Sequence, residues 1–243
     1  LILDESESII NQMQNRQLIK TKKLQPCWDK FQWLVTYSEK LIAMDAFASY
    51  RTYTLLQKTR KAVRMHINTW KTIDNPSTDI HYPNYESLLD RIYAAAVNAQ
   101  QSPFVIVSTS KAQSDAIVTK LVQINPLANI KYYNSDSTDL DRKDFDNVNA
   151  AWANVDILVY TSTISAGCSF ELPRFKKVFA YFSNQSCDFL TSIQMLGRIR
   201  DVESKEYHIA IQYIASNLPD TIPAIEETVR DQEMIDDITC NPL

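Results

Sequence analysis

Residues 103–124 read Pro-Phe-Val-Ile-Val-Ser-Thr-Ser-Lys-Ala-Gln-Ser-Asp-Ala-Ile-Val-Thr-Lys-Leu-Val-Gln-Ile, and they give the clearest indication of the fold class. Its first half, 104–109, is a continuous apolar run after a proline, which is typical of a buried strand. Its second half, 111–124, spaces apolar residues at the helical period and predicts a helix. A strand that leads directly into a helix is the building unit of a parallel sheet.

The same alternation continues along the second half of the chain. The sequence predicts further strands at 130–133, 156–161, 177–182 and 207–214, and helices at 139–153 and 187–200. Strands that are apolar along their length and separated by helices indicate an α/β fold, a parallel sheet with helices on both faces. Ligands bind such sheets in the loops after the carboxyl ends of the strands.

The first half of the chain shows the pattern less regularly. It predicts strands at 1–3, 41–44 and 63–68 and helices at 6–17, 27–38 and 49–60. We interpret this as the last part of a first α/β domain whose beginning is absent. The predicted organisation is a partial domain at 1–71, a linker at 72–84, a complete domain at 85–215 and an acidic peripheral tail at 216–243.

Composition excludes several classes of protein. The 243 residues contain two glycines, against an average usage of about 7%, so this chain contains no glycine-rich phosphate loop. The four cysteines are scattered without a CxxC pair, which argues against zinc and a disulfide framework. The net charge of −4 excludes a histone-like basic coat but not DNA binding through local contacts. No apolar run reaches the ~18 residues of a membrane span.

One stretch of the chain is basic throughout. Residues 51–71 contain six Lys and Arg residues, beginning with Arg51, and no acid. We interpret this stretch as a solvated helix face.

Two adjacent acids, Asp4 and Glu5, follow the apolar Leu1-Ile-Leu3. At the end of a strand, one such acid can hold Mg²⁺ and the next can polarise the water that attacks a phosphoryl group. A helix amino terminus would also accommodate both acids without any catalysis, and this alternative stays open.

The two glycines mark two further candidate sites. Gly167 lies in Thr161-Ser-Thr-Ile-Ser-Ala-Gly-Cys-Ser-Phe-Glu171, a loop that either offers hydroxyls and amides to phosphates or forms a turn with positive φ. Gly197 lies inside a predicted helix, where glycine costs about 1 kcal/mol, so we expect close approach by a backbone or a nucleotide. Gln194 and Arg198, four residues apart, would share a helix face, and arginine suits phosphate charge, although a surface arginine pair is the alternative.

These segments resemble the motifs of superfamily 2 helicases. Gln194-x-x-Gly-Arg-x-Arg200 resembles motif VI, 161–171 motif V, 105–110 motif IV, and Asp4-Glu-Ser-Glu7 a DExx motif II, with 40–46 in the position of motif III. The sequences of these motifs are most similar to those of the origin-of-replication-binding proteins of herpesviruses and large DNA viruses. Four segments of this chain resemble the signature of that family: Tyr133-Asn-Ser-Asp136; Asp144-Phe145 with Val148, Asn149 and Trp152; Tyr160-Thr-Ser-Thr-Ile-Ser-Ala-Gly167-x-Ser-Phe-Glu171; and Gln194-Met-Leu-Gly-Arg-Ile-Arg-Asp-Val202.

The resemblance implies two RecA-like domains that hydrolyse ATP in the cleft between them, in a protein that couples hydrolysis to DNA unwinding or translocation at replication initiation. Asp4 would hold Mg²⁺ and Glu5 would activate water. The residues implied at the nucleotide are Gly167, Gln194, Gly197, Arg198 and Arg200. Those implied at the DNA backbone are Ser108, Thr109, Thr161, Thr163 and Ser165. The implied partners are single-stranded or origin DNA and other replication proteins, at a replication site in a host nucleus or virus factory, with no secretion.

Two positions depart from the superfamily pattern. Asp201 stands where the last motif VI arginine is usual, because Arg200 comes one residue early, and Ser169 stands where many members have aspartate. The shifted arginine keeps one other function open, a non-catalytic interaction module that retains helicase motifs. A nuclease or restriction-type translocase on the same engine would need a set of metal-binding carboxylates outside the motor, which the scattered acids of 220–243 do not supply.

We predict that this chain alone does not hydrolyse ATP at a useful rate. The resemblance places the phosphate-binding loop outside this stretch, and that loop supplies most of the grip on the triphosphate. Steady-state phosphate release in the presence of single-stranded DNA measures this, and DNA-stimulated turnover by the isolated 243 residues would contradict it.

Overall fold

The computed structural model divides into two compact units, Leu1–Asp74 and Asn75–Leu243. The structure describes residues 1–13, 23–68, 77–164, 167–184, 186–187 and 189–214, with the single positions 221, 223 and 227. Nearly all of the predicted acidic tail, 216–243, lies outside the described residues, as does Ser165.

Within its described residues, the first unit is a two-stranded parallel sheet with three helices. Its elements are β1 (Ile2–Asp4), α1 (Ser6–Gln12), α2 (Leu24–Tyr37), β2 (Ile42–Met44) and α3 (Tyr50–Thr59). Leu3 lies opposite Ala43 in the sheet, and Leu3 packs in a small core with Phe31 and Val35 of α2.

The predicted strand at 63–68 is wrong. This segment is irregular, and Met65 and Ile67 are 59% and 76% exposed. Its alternation of apolar and polar residues is typical of a strand, but among the described residues no neighbouring strand pairs with it.

The second unit is built on a six-stranded sheet. Its elements are β3 (Thr78–Tyr82), α4 (Tyr85–Ala96), β4 (Phe104–Ser108), α5 (Lys111–Ile124), β5 (Ile130–Tyr133), α6 (Asp139–Arg142), a 3₁₀ helix (Lys143–Asn147), α7 (Val148–Trp152), β6 (Ile157–Tyr160), β7 (Lys177–Ser183), α8 (Phe189–Leu196) and β8 (Glu206–Gln212). The strand order is β3-β8-β7-β4-β6-β5, and every pair is parallel. The predicted α/β fold with helices on both faces of a parallel sheet is confirmed.

Apolar cores cover both faces of this sheet. Alternate residues of β4 point to opposite sides, with Val105 and Val107 in one core and Phe104 and Ile106 in the other. All four are fully buried, which is why the strand reads as one apolar run rather than as an alternating pattern.

The predicted linker at 72–84 contains a strand of the sheet. Residues 78–82 form β3, which pairs with β8 from Thr78 opposite Glu206 to Tyr82 opposite Ala210. Because β3 is an edge strand with mostly exposed side chains, its sequence is as polar as that of a loop. The second unit therefore begins before residue 85.

Two predicted helices are also shorter than expected. The stretch 139–153 is a chain of three short helices, and the stretch 187–200 contains a helix that ends at Leu196. Thr138 begins the first of the short helices with a reciprocal capping box, in which its side chain and that of Asp141 bond each other's backbone amides.

A chain of hydrogen bonds anchors the 3₁₀ helix and α7 to strand β5 of the sheet. Trp152 Nε1 donates to the Tyr133 hydroxyl at 3.0 Å, and this hydroxyl donates to Asp144 Oδ2 at 2.5 Å. Lys131 pairs with the same carboxylate. Burial, followed by the hydrogen bond to Asp144, raises the pKa of Tyr133, so the phenol stays a donor at neutral pH.

Tyr133→Phe is expected to lower the free energy of unfolding by about 1–3 kcal/mol, because it leaves the Trp152 indole N–H without its acceptor and removes one of the two donors to the Asp144 carboxylate. Urea unfolding followed by circular dichroism measures the loss. Tyr213→Phe is the matched control, since Tyr213 is 75% exposed, and it should change stability by less than about 0.5 kcal/mol. Equal stability of the two variants would contradict the anchoring role.

Candidate functional site

Asp4 and Glu5 lie where β1 turns into α1. Asp4 is exposed at the carboxyl end of the strand, and Glu5 adopts a left-handed backbone conformation with φ 54° and ψ 53°. This conformation is unfavourable for a residue with a side chain, and such strain concentrates at functional sites. The position also precedes a helix amino terminus, so both interpretations of the acidic pair agree with the backbone.

Glu7, in the first turn of α1, accepts several hydrogen bonds through its carboxylate. Its oxygens accept hydrogen bonds from Ser49 N at 2.8 Å, Ser49 Oγ at 2.7 Å, Thr52 Oγ1 at 2.5 Å and Arg51 Nη2 at 2.7 Å. Burial alone would raise the pKa of this carboxyl, but these hydrogen bonds outweigh burial and lower the pKa from 4.5 to about 2.

The same network ties the acidic segment to the loop after β2. The Glu7 backbone N–H donates to Asp45 Oδ2 at 2.8 Å, and Arg51 also donates to the Glu7 carbonyl at 3.2 Å and to Asn11 Oδ1 at 2.7 Å. The interpretation of residues 51–71 as a solvated face is therefore wrong at Arg51. The pairing of Arg51 with Glu7 joins residues that are 44 positions apart, so no local sequence pattern predicts it.

In the second unit, a short main-chain pairing joins the loop after β6 to the segment after α8. Phe170 N donates to the Arg198 carbonyl at 2.8 Å, and Arg200 N donates to the Phe170 carbonyl at 2.9 Å. Phe170 and Ile199 thus form an isolated parallel bridge. We call this contact the 170–199 bridge. It places the Gly167 loop beside Arg198 and Arg200.

The two glycines behave differently. Gly167 has φ 78°, which confirms a turn that favours glycine. Gly197 lies just after α8 rather than inside it, because the chain leaves the helix at Leu196 to form the 170–199 bridge. A Cβ on Gly197 would meet the Gln194 carbonyl at 3.5 Å, an ordinary contact, so packing within the described residues does not require glycine there.

The two arginines present their charges differently. Arg198 is 9% exposed, and its Nη1 donates to the Cys168 carbonyl at 3.3 Å. Because Arg198 lies beyond α8, it does not share a helix face with the half-buried Gln194. Arg200 is exposed, and its Nε donates to Ser169 Oγ at 3.0 Å. Burial raises the pKa of the Cys168 thiol, and the charge of Arg198 opposes that shift.

Most of the hydroxyls implied at DNA face inward. Ser108 has no exposed surface and caps its own turn by accepting from Ser110 N at 3.0 Å. Thr109 accepts from Ser183 N at 2.9 Å, and the 5% exposed Thr161 shares a hydrogen bond with Thr163. Thr163 is exposed. Of these four hydroxyls, only that of Thr163 is exposed enough to contact DNA directly. The other three form hydrogen bonds that stabilise their loops.

The described part of the chain holds no cluster of three or more His, Cys, Asp or Glu side chains that could hold a metal ion. Asp4 and Glu5 belong to the first unit and the two arginines to the second. Their joint action on one nucleotide stays a prediction.

The known proteins that are similar to this chain agree with the family that its motifs predicted. The family model described as origin of replication binding protein matches residues 117–226. The chain is 36% identical over 229 residues to a protein named for the helicase/primase complex of African swine fever virus, and 26% identical over 208 residues to one named for replication origin binding in Acanthamoeba polyphaga mimivirus. These matches cover 93% and 83% of this chain, but the chain spans 21% and 25% of the relatives.

A solved structure shows the same fold. Dbp5 of S. cerevisiae bound to RNA and ADP BeF3 aligns with a TM-score of 0.59 at 14% identity, covering 98% of this chain and 57% of that one. The likeness confirms the RecA-like helicase fold that the motifs predicted.

Glu7→Gln is expected to destabilise α1 in a pH-dependent way. The folded pKa of about 2 lies below the unfolded value of 4.5, so the carboxylate's contribution is fully present above about pH 5 and is lost as the pH falls toward 2. Urea unfolding followed through NMR signals of residues 6–12 should show the largest wild-type advantage at pH 7. The advantage should shrink at pH 4 and be nearly gone at pH 2.

Glu39→Gln is the matched control, because Glu39 is exposed and belongs to the same unit. It should follow the wild type at every pH. A difference between Glu7→Gln and wild type that does not change with pH would contradict the ionic network.

Proposed function

Over residues 117–226 the chain belongs to the origin-of-replication-binding protein family, and from this premise we propose that it is part of an ATP-dependent DNA helicase acting in replication. In the proposed reaction, ATP hydrolysis drives the movement of this motor along DNA. The names of the viral relatives support a role in replication, and the RecA-like fold supports a helicase-like motor.

One observation carries this proposal. The 170–199 bridge holds an exposed arginine beside a turn whose residues 167–169 carry few side-chain atoms. A loop of this kind, next to a guanidinium, can bind phosphate through backbone amides and compensate charge that develops during phosphoryl transfer.

The acidic pair fits the metal that ATP hydrolysis uses. Mg²⁺ usually takes one or two protein carboxylates and completes its shell with phosphates and water, so the exposed Asp4 is a sufficient protein ligand. Bound Mg²⁺ would neutralise phosphate charge. We propose that Glu5, next along the chain, orients and deprotonates the attacking water.

Gln194, Arg198 and Arg200 would act on the phosphates, with Gly167 and Gly197 leaving room for the nucleotide. The proposed partner is DNA, single-stranded or at an origin, with the exposed Thr163 hydroxyl as a contact to its backbone. Other replication proteins are proposed as further partners, at an intracellular replication site. No helix among the described residues is long and apolar enough to cross a membrane.

In a complete protein that carries this chain with a phosphate-binding loop, Arg198→Ala is expected to abolish hydrolysis and leave ATP binding largely intact. Arginines that stabilise the transition state contribute roughly 10³–10⁵ in turnover. Because Arg198 is buried, Arg198→Lys is measured beside it; lysine keeps the charge but not the planar fork. DNA-stimulated phosphate release and equilibrium ATP binding are the two measurements.

Arg142→Ala is the control, since Arg142 is an exposed arginine of the same unit, and its turnover should equal that of the wild type. Normal turnover in Arg198→Ala would instead favour a non-catalytic interaction module.

Gly197→Ala separates packing from ligand space. Because its Cβ would meet only ordinary contacts, the fold is expected to keep its melting temperature. If a nucleotide approaches Gly197, turnover should fall all the same. Full activity together with raised stability would show that no ligand occupies the space beside Gly197.

A further inference from the structure

The two departures from the superfamily pattern meet in space. Ser169 stands where many superfamily members have aspartate, and Arg200 comes one residue earlier than the usual last arginine of motif VI. In the structure these two residues are hydrogen-bonded, with Arg200 Nε donating to Ser169 Oγ at 3.0 Å. The main chain brings them together, because both flank the 170–199 bridge.

We propose that Ser169 is a positioning residue that orients the guanidinium of Arg200 toward phosphate without neutralising it. This inference rests on the proposed function, in which Arg200 acts on the phosphates of ATP. Ser169 itself touches neither nucleotide nor metal in the proposal.

The geometry of the guanidinium supports this assignment. Ser169 occupies Nε and leaves the two terminal nitrogens, Nη1 and Nη2, for another acceptor. Nη1 lies 4.0 Å from the point that a Cβ on Gly197 would occupy, so glycine keeps that side of the guanidinium open. Arginine binds phosphate best through two parallel N–H groups, which are the donors left available here.

The charge of the acceptor matters as much as its position. A hydroxyl is neutral, and no described carboxylate forms an ion pair with Arg200. Arg200 thus keeps its full positive charge for a ligand. An aspartate at 169 would accept the same hydrogen bond, but its carboxylate would compete with phosphate for the guanidinium.

Three substitutions at one position separate these effects. Ser169→Thr keeps the hydroxyl, Ser169→Ala removes it, and Ser169→Asp replaces it by a charged acceptor. The half-exposed site accommodates each of them, and melting temperatures check that the fold is kept. If the hydrogen bond from Arg200 had only a structural role, aspartate at position 169 would accept it as well as serine does.

The activity series uses a complete protein that carries this chain together with a phosphate-binding loop, in the presence of DNA and Mg²⁺. Ser169→Thr should keep kcat within about twofold, and Ser169→Ala should lower it about tenfold with little change in KM, as expected for lost orientation. Ser169→Asp should lower kcat about a hundredfold, approaching Arg200→Ala, while its melting temperature stays at or above that of the wild type.

A second readout needs no turnover. In ¹⁵N NMR spectra of the present chain, the Nε–H signal of Arg200 should be protected from exchange with water. That protection should be lost in Ser169→Ala and kept in Ser169→Thr and Ser169→Asp. The Nε–H signal of the exposed Arg142 is the internal reference and should not change.

The outcomes distinguish the two levels of the proposal. If Arg200→Ala loses turnover but Ser169→Ala and Ser169→Asp do not, the positioning role alone is overturned. If Arg200→Ala keeps normal turnover, Arg200 has no part in the reaction, and the positioning role is overturned together with that part of the proposed function. An Arg200 signal that is equally protected in Ser169→Ala overturns the positioning role directly.

Discussion

The pairing of Phe170 with Ile199 is the constraint on which the arrangement of the second unit's candidate site depends. Its two main-chain hydrogen bonds fix the loop after β6 against the segment after α8. Phe170 is fully buried and Ile199 is 2% exposed, so the bridge is also part of the hydrophobic core. The Tyr160 hydroxyl adds a hydrogen bond to the Met195 carbonyl at 2.8 Å, which ties the end of β6 to α8. The loop after β6 is thereby attached to two residues that belong to the hydrophobic core.

Hydrogen bonds and an ion pair fix the acidic segment of the first unit, residues 4–7, in place. Glu7 is partly buried, and a buried carboxylate is costly unless its oxygens are bonded. Here hydroxyl, amide and guanidinium donors from α3 and its preceding residue satisfy them, and Asp45 bonds the start of α1 from the loop after β2. Glu5, two residues before Glu7, keeps its left-handed backbone within this bonded frame. A strained residue persists where its surroundings over-determine it, which this network does.

The sequence predicted the sheet of the second unit well because its central strands, β4, β6 and β7, are buried on both faces. The five predicted strands are all present, and the apolar runs of these three could be recognised without knowing their partners. Edge strand β3 was missed because only the hydrogen bonds to β8 distinguish it from a polar loop. The end of α8 was misplaced for a related reason, since the chain leaves the helix to pair with Phe170, a residue far away in sequence.

The candidate site was predictable to the level of motifs and not of contacts. The acids, glycines and arginines were found from spacing and from the resemblance. The burial of Ser108, Thr109 and Thr161, and the pairs Glu7–Arg51 and Ser169–Arg200, depend on tertiary contacts that a single sequence does not reveal.

The most direct measurement of the central claim is strand separation by the complete protein on a fluorescent duplex with a single-stranded tail of either polarity. We expect the strands to separate only with Mg²⁺ and hydrolysable ATP, and a non-hydrolysable analogue to support binding without separation. Binding to the duplex with no separation at any ATP concentration, on either tail, would contradict it.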